Sequence, residues 1–142
     1  MSRKLEQVKR LLRGIRTDND SYLQLHSLLK EQRLCMIRRA SDALLTVNAQ
    51  IDQCYSALRL STRVRRETLL SLGVTADGTG IAQVFSWLPV EQKRAARQAW
   101  QQLEENIAAC QRYNEKNGEL LTRQQAFVQT FLGLDTHFIY HP

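Results

Sequence analysis

The sequence has few residues that interrupt helices and no apolar run long enough to cross a bilayer. It contains two prolines and six glycines in 142 residues, and three of the glycines lie at 73–80. The absence of about 18 consecutive apolar residues excludes a membrane-spanning helix, and the first residues lack the apolar segment of a secretory signal peptide. The remaining chain is rich in Leu, Gln, Arg, Ala and Glu, which favour helices. We therefore expect a helical, cytoplasmic protein.

Signals for catalysis or metal binding are weak. The three cysteines, Cys35, Cys54 and Cys110, are isolated and lack a CxxC spacing, which predicts core residues or weakly exposed thiols in a reducing compartment. His137 and His141 have no third ligand nearby. The Gly-rich stretch 73–80 lacks the Lys-Ser/Thr that follows a phosphate-binding loop. We expect no catalytic residue, metal or cofactor; an enzyme that uses the Gly-rich turn is a weaker alternative.

Apolar residues recur at helical spacing along most of the chain. Leu5, Val8, Leu12 and Ile15 begin the first stripe, and the cap-type residues 17–21 favour a break or bend within it. The whole chain reads as one domain. The predicted segments are a first helix at 4–38, a second at 42–72, a Gly-rich loop at 73–80, a short helix at 81–88, a third long segment at 90–132 and a flexible tail at 133–142.

The last long segment carries the most regular pattern. Its predicted core-facing residues alternate steps of four and three, which is typical of a coiled coil or long bundle helix: Ala96, Trp100, Leu103, Ile107, Cys110, Asn114, Asn117, Leu121, Gln124, Val128 and Phe131. Such a helix is roughly 60 Å long, too long for a compact globule of this size. We expect an all-α, elongated antiparallel bundle or coiled coil of about three helices, two of them long, with a short helix after the Gly-rich turn.

The middle of this segment is unusually polar for a core. Asn114 and Asn117 occupy adjacent core-facing positions, and Gly118 follows them. The amides either fix the register of the bundle or mark a seam that a partner peptide completes. Gly118 is unfavourable in a helix, which points to close helix approach or a local bend.

The apolar residues after Gly118 also allow two interpretations. They either complete the bundle or line a groove for an amphipathic helix from another protein. The residues in question are Leu120, Leu121, Phe127, Val128, Phe131, Leu132 and Leu134, followed by Phe138, Ile139 and Tyr140 of the tail.

The net charge of +6 leaves a second hypothesis open. Basic clusters lie at Arg3–Arg16 and Arg63–Arg66. They form either solvated helix faces or the binding surface of a basic coiled-coil adaptor for nucleic acid.

Several short motifs, taken in order, resemble one family. Residues 111–121, QRYNEKNGELL, are similar to the Asn-x-x-Asn-Gly-x-Leu-Leu signature of FlgN-type flagellar export chaperones. Residues 69–74, and Leu88-Pro89 followed by Trp100 and Leu103, resemble other landmarks of that family, and residues 28–32 fit its first helix. The resemblance covers roughly residues 22–132.

The resemblance implies a cytoplasmic chaperone of the flagellar type III export system, with no cofactor, no nucleic acid and no stable membrane insertion. Such chaperones bind the amphipathic C-terminal segments of hook–filament junction proteins of the FlgK and FlgL type and deliver them to the export apparatus. It places cargo binding at Asn114, Asn117, Gly118, Leu121, Phe127, Val128 and Phe131. Tyr140 corresponds to a tail tyrosine linked to export-gate docking, although His141 stands where the family has glycine. A homodimer paired along the seam stays open.

Overall fold

The structure, a computed structural model, describes the backbone of residues 2–132 and the side chains of residues 3–126. It consists of four helices, α1 (Ser2–Arg38), α2 (Ser41–Ser71), α3 (Gly78–Ser86) and α4 (Val90–Leu132), with no strand in the part described. The all-helical class is confirmed. Three helices rather than two are long, with 37, 31 and 43 residues.

α1 is continuous through the cap-type residues at 17–21, so the helix does not break there. Two of these side chains bond to other helices instead of capping α1. Asp18 forms an ion pair with Arg65 of α2, and Asn19 donates to the backbone oxygen of Ala99 on α4. Polar groups that favour helix ends in isolation are thereby satisfied inside the bundle.

A tight turn joins α1 to α2. Arg39 adopts a left-handed conformation with φ of +54°. The backbone nitrogen of Ala40 donates to the oxygen of Cys35 at 2.9 Å, so the last carbonyls of α1 are satisfied locally. α2 returns antiparallel to α1, because Gln7 pairs with Ser71 and Gln32 with Asn48.

α2 ends in a glycine-dependent motif. Gly73 has φ of +82°, and the backbone nitrogens of Gly73 and Val74 donate to the oxygens of Leu70 and Leu69. This is the pattern of a Schellman cap, in which glycine is favoured.

α3 begins three residues earlier than predicted, so Gly78 and Gly80 lie inside it rather than in a loop. The Oδ1 atom of Asp77 accepts from the Gly80 nitrogen at 3.0 Å and thereby caps the helix. A Cβ atom at Gly80 would collide with the backbone oxygen of Thr75, so the first turn of α3 fits against this loop only with glycine there.

α4 runs parallel to α1. Asn106 bonds to Asn19, Asn117 to Leu29, and Gln124 to Met36, at sequence separations of 87, 88 and 88 residues. A constant separation means that the two helices rise together, and it places Ala126 level with Arg38 at the end of α1. α4 therefore continues past the α1–α2 turn until Leu132. We call this part of α4, residues 127–132, the overhang.

The core consists of two apolar clusters separated by a polar layer. The cluster near α3, at what we call the proximal end, contains Val8, Leu11, Ile15, Leu69, Val74, Ile81, Val84, Phe85, Ala96 and Leu103. The cluster towards the α1–α2 turn, at the distal end, contains Leu25, Leu28, Leu29, Cys35, Val47, Ile51, Leu58 and Cys110. The polar layer between the two clusters has residues from all three long helices: Asp18 and Asn19 of α1, Arg65 of α2 and Asn106 of α4.

Candidate functional site

The buried face of α4 follows α1. Ala96, Leu103, Cys110 and Asn117, spaced by seven residues, are all buried, as the four-three pattern predicts. In the second row, Trp100 and Ile107 are half-buried against the proximal cluster as predicted, but the prediction fails further along, because Asn114 is exposed and Leu121 is 46% exposed. Asn106, Tyr113 and Leu120 are instead buried or half-buried in that row. Which residues form the second buried row depends on the side of α4 against which α1 packs. The spacing of apolar residues in the sequence does not specify that side.

Asn117 is a structural amide between the helices. It is 3% exposed. Its Nδ2 atom donates to the backbone oxygen of Leu29 at 2.8 Å and to Oε1 of Gln32 at 2.9 Å. Gln32 in turn donates to Oδ1 of Asn48 on α2 at 2.8 Å. One amide of α4 thus fixes the relative positions of three helices.

The Oδ1 atom of Asn117 is buried and accepts no hydrogen bond from the described residues. An unpaired buried acceptor has a free-energy cost, so this amide serves register more than stability. A cargo molecule has no direct access to it while α4 stays packed on α1.

Gly118 faces open space. A Cβ atom there would meet nothing within 4 Å, so the expectation of close helix approach is wrong. The Gly118 carbonyl accepts a hydrogen bond from the Thr122 hydroxyl at 3.0 Å. Nothing in the packing requires glycine at this position.

An open cleft of about 300 Å³ lies at the distal end, where the α1–α2 turn meets α4. Its apolar surface comes from Met36, Leu44 and Leu121, together with the buried Cys35. The polar groups Arg39, Ser41, Gln124 and Gln125 complete the lining. Gln124 donates to the backbone oxygen of Met36 at 2.8 Å and holds α4 against the end of α1.

This cleft opens beside the overhang. Three other surface grooves have similar volumes, about 360 Å³ between α1 and α4, about 340 Å³ between α1 and α2 and about 330 Å³ on α4 near its start. All three lie in the proximal half of the bundle. Only the distal cleft adjoins a helix segment that has run past the end of α1.

The comparison with protein families matches the FlgN protein family over residues 1–134. This chain belongs to the FlgN family. The sequence-based recognition is confirmed, and the match extends upstream of the motifs that carried it. Membership supports the role of a flagellar export chaperone and gives no indication of catalysis. Neither the curated protein sequences nor the solved structures contain a significant match to this FlgN protein.

The predicted site residues of this FlgN protein are distributed over three environments. Leu121 lines the distal cleft, Asn114 and Gly118 lie on the exposed surface, and Asn117 is buried against α1. The backbone positions of Phe127, Val128 and Phe131 belong to the overhang, but their side chains lie outside the described residues. So does the whole of Tyr140.

The site prediction did not include Cys35, Met36 and Leu44. These residues lie at the ends of the apolar stripes of α1 and α2, beside the turn, where a sequence pattern does not distinguish a packed position from the wall of a cleft. The helical hairpin brings them together with Leu121.

Catalytic or metal-binding geometry is not found in the described part of the chain. No group of three or more His, Cys, Asp or Glu side chains is close enough there to hold a metal ion. Burial raises the pKa of the Cys110 thiol to about 11, and this thiol donates to the backbone oxygen of Tyr22 at 3.4 Å. None of the described helices is both long and apolar enough to span a membrane. His137 and His141 lie outside the described residues.

Proposed function

We propose that this FlgN protein is a cytoplasmic export chaperone that binds the C-terminal amphipathic segments of FlgK- and FlgL-type hook-associated proteins at its distal end. The observation that supports this site is the overhang of α4 beside an open apolar cleft. α1 ends at Arg38, level with Ala126, so the α1-facing side of α4 loses its helical partner there. A cargo helix takes the place of α1 along the overhang.

The chemistry of the cleft suits such a helix. Amphipathic helices bind grooves through apolar residues spaced by three or four positions. Leu44 and Leu121 are available as contacts in the cleft, since they are half-buried and 46% exposed respectively. On α4 the sequence positions 124, 128 and 131 continue at the same helical spacing. Binding in this way covers the cargo surface that would otherwise polymerise. The cargo is released when it exchanges the chaperone for another binding partner, and no chemical step is needed.

Truncation after Ala126 tests the site most directly. It removes the overhang and the tail but keeps the hydrogen bonds that join α4 to α1 in the described part of the chain, the last of which runs from Gln124 to Met36. We expect the truncated chain to stay helical and to lose capture of purified FlgK and FlgL C-terminal segments. The full chain failing to capture either segment overturns the proposed function. Capture that survives truncation overturns only the site.

Point variants test the cleft. Leu121→Asp puts a charge into the apolar wall, and we expect about tenfold weaker cargo binding, as for truncation of an interface anchor. Leu60→Asp is the matched control, because Leu60 is 58% exposed on α2 and outside the cleft. Phe131→Asp extends the test to the overhang. Isothermal titration gives the affinities, and equal values for Leu121→Asp and Leu60→Asp contradict the role of the cleft.

The remaining parts of the functional prediction are separate proposals. Tyr140 docks the loaded chaperone on the export apparatus, and Tyr140→Ala is expected to retain cargo while reducing export. Self-association is measured by light scattering of the free chain, with and without cargo. A monomer that stays monomeric on loading contradicts pairing along the seam.

A further inference from the structure

Positive charge is concentrated on the proximal half of the bundle. Segments 2–21 and 59–108, which lie at the same levels of the bundle, contain thirteen of the 20 Lys and Arg residues but eight of the 14 Asp and Glu residues. They carry a net charge of +5, so the rest of the chain carries +1. The rod is thus electrically asymmetric along its length.

Most of these cations are not used within the fold. In the described part of the chain the ion pairs are Lys9–Glu6 and Arg65–Asp18, so the other proximal cations lack an acidic partner within 4 Å. Arg3 and Lys4 also lie in the first turn of α1, which contains no acidic residue. Cations are unfavourable there, because the N-terminus of a helix is the positive end of its dipole. The arrangement does not serve helix stability.

Apolar side chains are exposed within this basic region. Trp87, in the connection between α3 and α4, is 40% exposed, and Val90, the first residue of α4, is 69% exposed. The Lys4 ammonium lies 4.1 Å from the centre of the Trp87 ring. Val90 shares one surface groove with Lys93, Arg94 and Arg97. An exposed Trp, an exposed aliphatic group and several free cations therefore lie at one end of the rod.

We propose that the proximal end is a peripheral docking surface for an anionic lipid bilayer. Trp side chains favour the boundary between headgroups and acyl chains, and unpaired Lys and Arg are attracted by anionic headgroups. Trp87 and Val90 enter that boundary while Lys4, Lys93 and Arg94 contact headgroups.

The composition of the surface favours an anionic bilayer over nucleic acid and over a helix from another protein. The groove that Val90 lines is otherwise formed by polar residues, namely Lys93, Arg94, Arg97, Gln98 and Gln101, whereas an amphipathic helix binds a groove that offers several apolar contacts. Nucleic acid is held mainly by cations on phosphates, and an exposed aliphatic side chain adds little to that. Val90 and Trp87 together provide an aliphatic and an aromatic side chain that can enter the boundary between headgroups and acyl chains.

Vesicle sedimentation with the full chain tests the proposal. We expect binding to vesicles of phosphatidylglycerol and phosphatidylcholine, weakening as salt is raised, and no binding to phosphatidylcholine alone. Val90→Asp is expected to reduce partitioning about tenfold, and it leaves the fold intact because an acidic residue suits the first turn of a helix. Its control is Leu45→Asp, since Leu45 is 70% exposed near the start of α2 at the distal end.

A charge pair on α4 provides a second control. Arg94 and Arg112 are both exposed and lie 18 residues, or five turns, apart on the same face of the helix. Arg94→Glu is expected to weaken binding about tenfold or more, and Arg112→Glu much less. A blue shift of tryptophan emission on vesicle addition is expected for the full chain and is expected to be absent in Trp87→Phe.

Three results overturn the proposal. They are equal binding to both vesicle types, equal loss in Val90→Asp and Leu45→Asp, and capture of RNA at the proximal end that Val90→Asp leaves unchanged; the last of these identifies a nucleic-acid surface. None of these experiments involves cargo, so their failure is distinguishable from failure of the chaperone proposal.

Discussion

Breaking the Asp18–Arg65 ion pair is expected to be among the most destabilising single changes in this bundle. The Nη1 atom of Arg65 lies 2.8 Å from Oδ2 of Asp18. The Asp18 side chain is 4% exposed and that of Arg65 is 16% exposed. The Arg65 guanidinium also lies 5.5 Å from the centre of the Trp100 ring. Asp18→Leu therefore leaves a largely buried cation without its counter-ion.

The expected cost follows from that burial. Removing one partner of a buried pair costs about 3–5 kcal/mol, and because Arg65 keeps some exposure we expect a cost at the lower end, about 3 kcal/mol. A small domain has a free energy of unfolding of roughly 5–15 kcal/mol, so a large share is lost. In Asp18→Leu/Arg65→Met no charge is left unpaired, and we expect the double variant to be more stable than Asp18→Leu alone.

Urea denaturation followed by far-UV circular dichroism gives the four free energies of the double-mutant cycle. The control is Glu6→Ala, because the Lys9–Glu6 pair is exposed, with side chains 53% and 61% accessible. Its loss is expected to cost less than about 1 kcal/mol. If Asp18→Leu costs no more than Glu6→Ala, the polar layer does not lock the three helices and the reasoning fails.

Other predictions concern single positions. Gly118→Ala is expected to raise the free energy of unfolding by about 1 kcal/mol, because a Cβ atom has free space there; a decrease in urea denaturation contradicts this. Gly80→Ala should lower the melting temperature, since its Cβ atom collides with the Thr75 carbonyl; an unchanged temperature contradicts it. Hydrogen bonds from Thr75 and Gly80 lower the pKa of Asp77. The pKa of Asp77 is lower in the folded state than in the unfolded state, so the ionised carboxylate stabilises the fold. Wild-type protein is therefore expected to have a higher melting temperature than Asp77→Asn above about pH 5. Thermal unfolding at a series of acidic pH values should show this difference in melting temperature disappearing as the pH falls through the folded pKa. The Cys110 thiol, with its pKa raised to about 11 by burial, should react with iodoacetamide at neutral pH only after unfolding.

The helices were predictable because their signal is local. Apolar residues at seven-residue spacing on α4, such as Leu103 and Cys110, are buried as the pattern requires. The polar layer was not predictable in the same way. Asp18 lies in a run of cap-type residues, and its partner Arg65 is 47 positions away. Local propensity therefore indicated a bend where tertiary pairing keeps α1 continuous.

The candidate site shows the same limit. Leu121 could be selected from sequence, since it belongs to an apolar excess on one helix. Met36 and Leu44 become part of the same cleft only because the turn at Arg39 folds α2 back on α1 and α4 runs parallel to α1. Asn114 and Asn117 look equivalent in the repeat, yet one is exposed and the other is 3% exposed. The side of α4 that faces α1 determines which of the two asparagines is buried. Their spacing in the sequence does not distinguish between the two positions.

The parallel course of α1 and α4 also separates the two proposed activities in space. α1 has 37 residues and is therefore about 55 Å long. Trp87 lies beside its first turn, since Lys4 covers the ring, whereas Leu121 and Met36 lie at its last turn. A cargo helix on the overhang does not reach the basic end, and a bilayer at the basic end does not cover the cleft. Cargo binding and lipid binding are accordingly expected to be independent. Cargo that displaces the protein from anionic vesicles would mean that the two ends are coupled, and the polar layer around Asp18 and Arg65 is the part of the bundle that connects them.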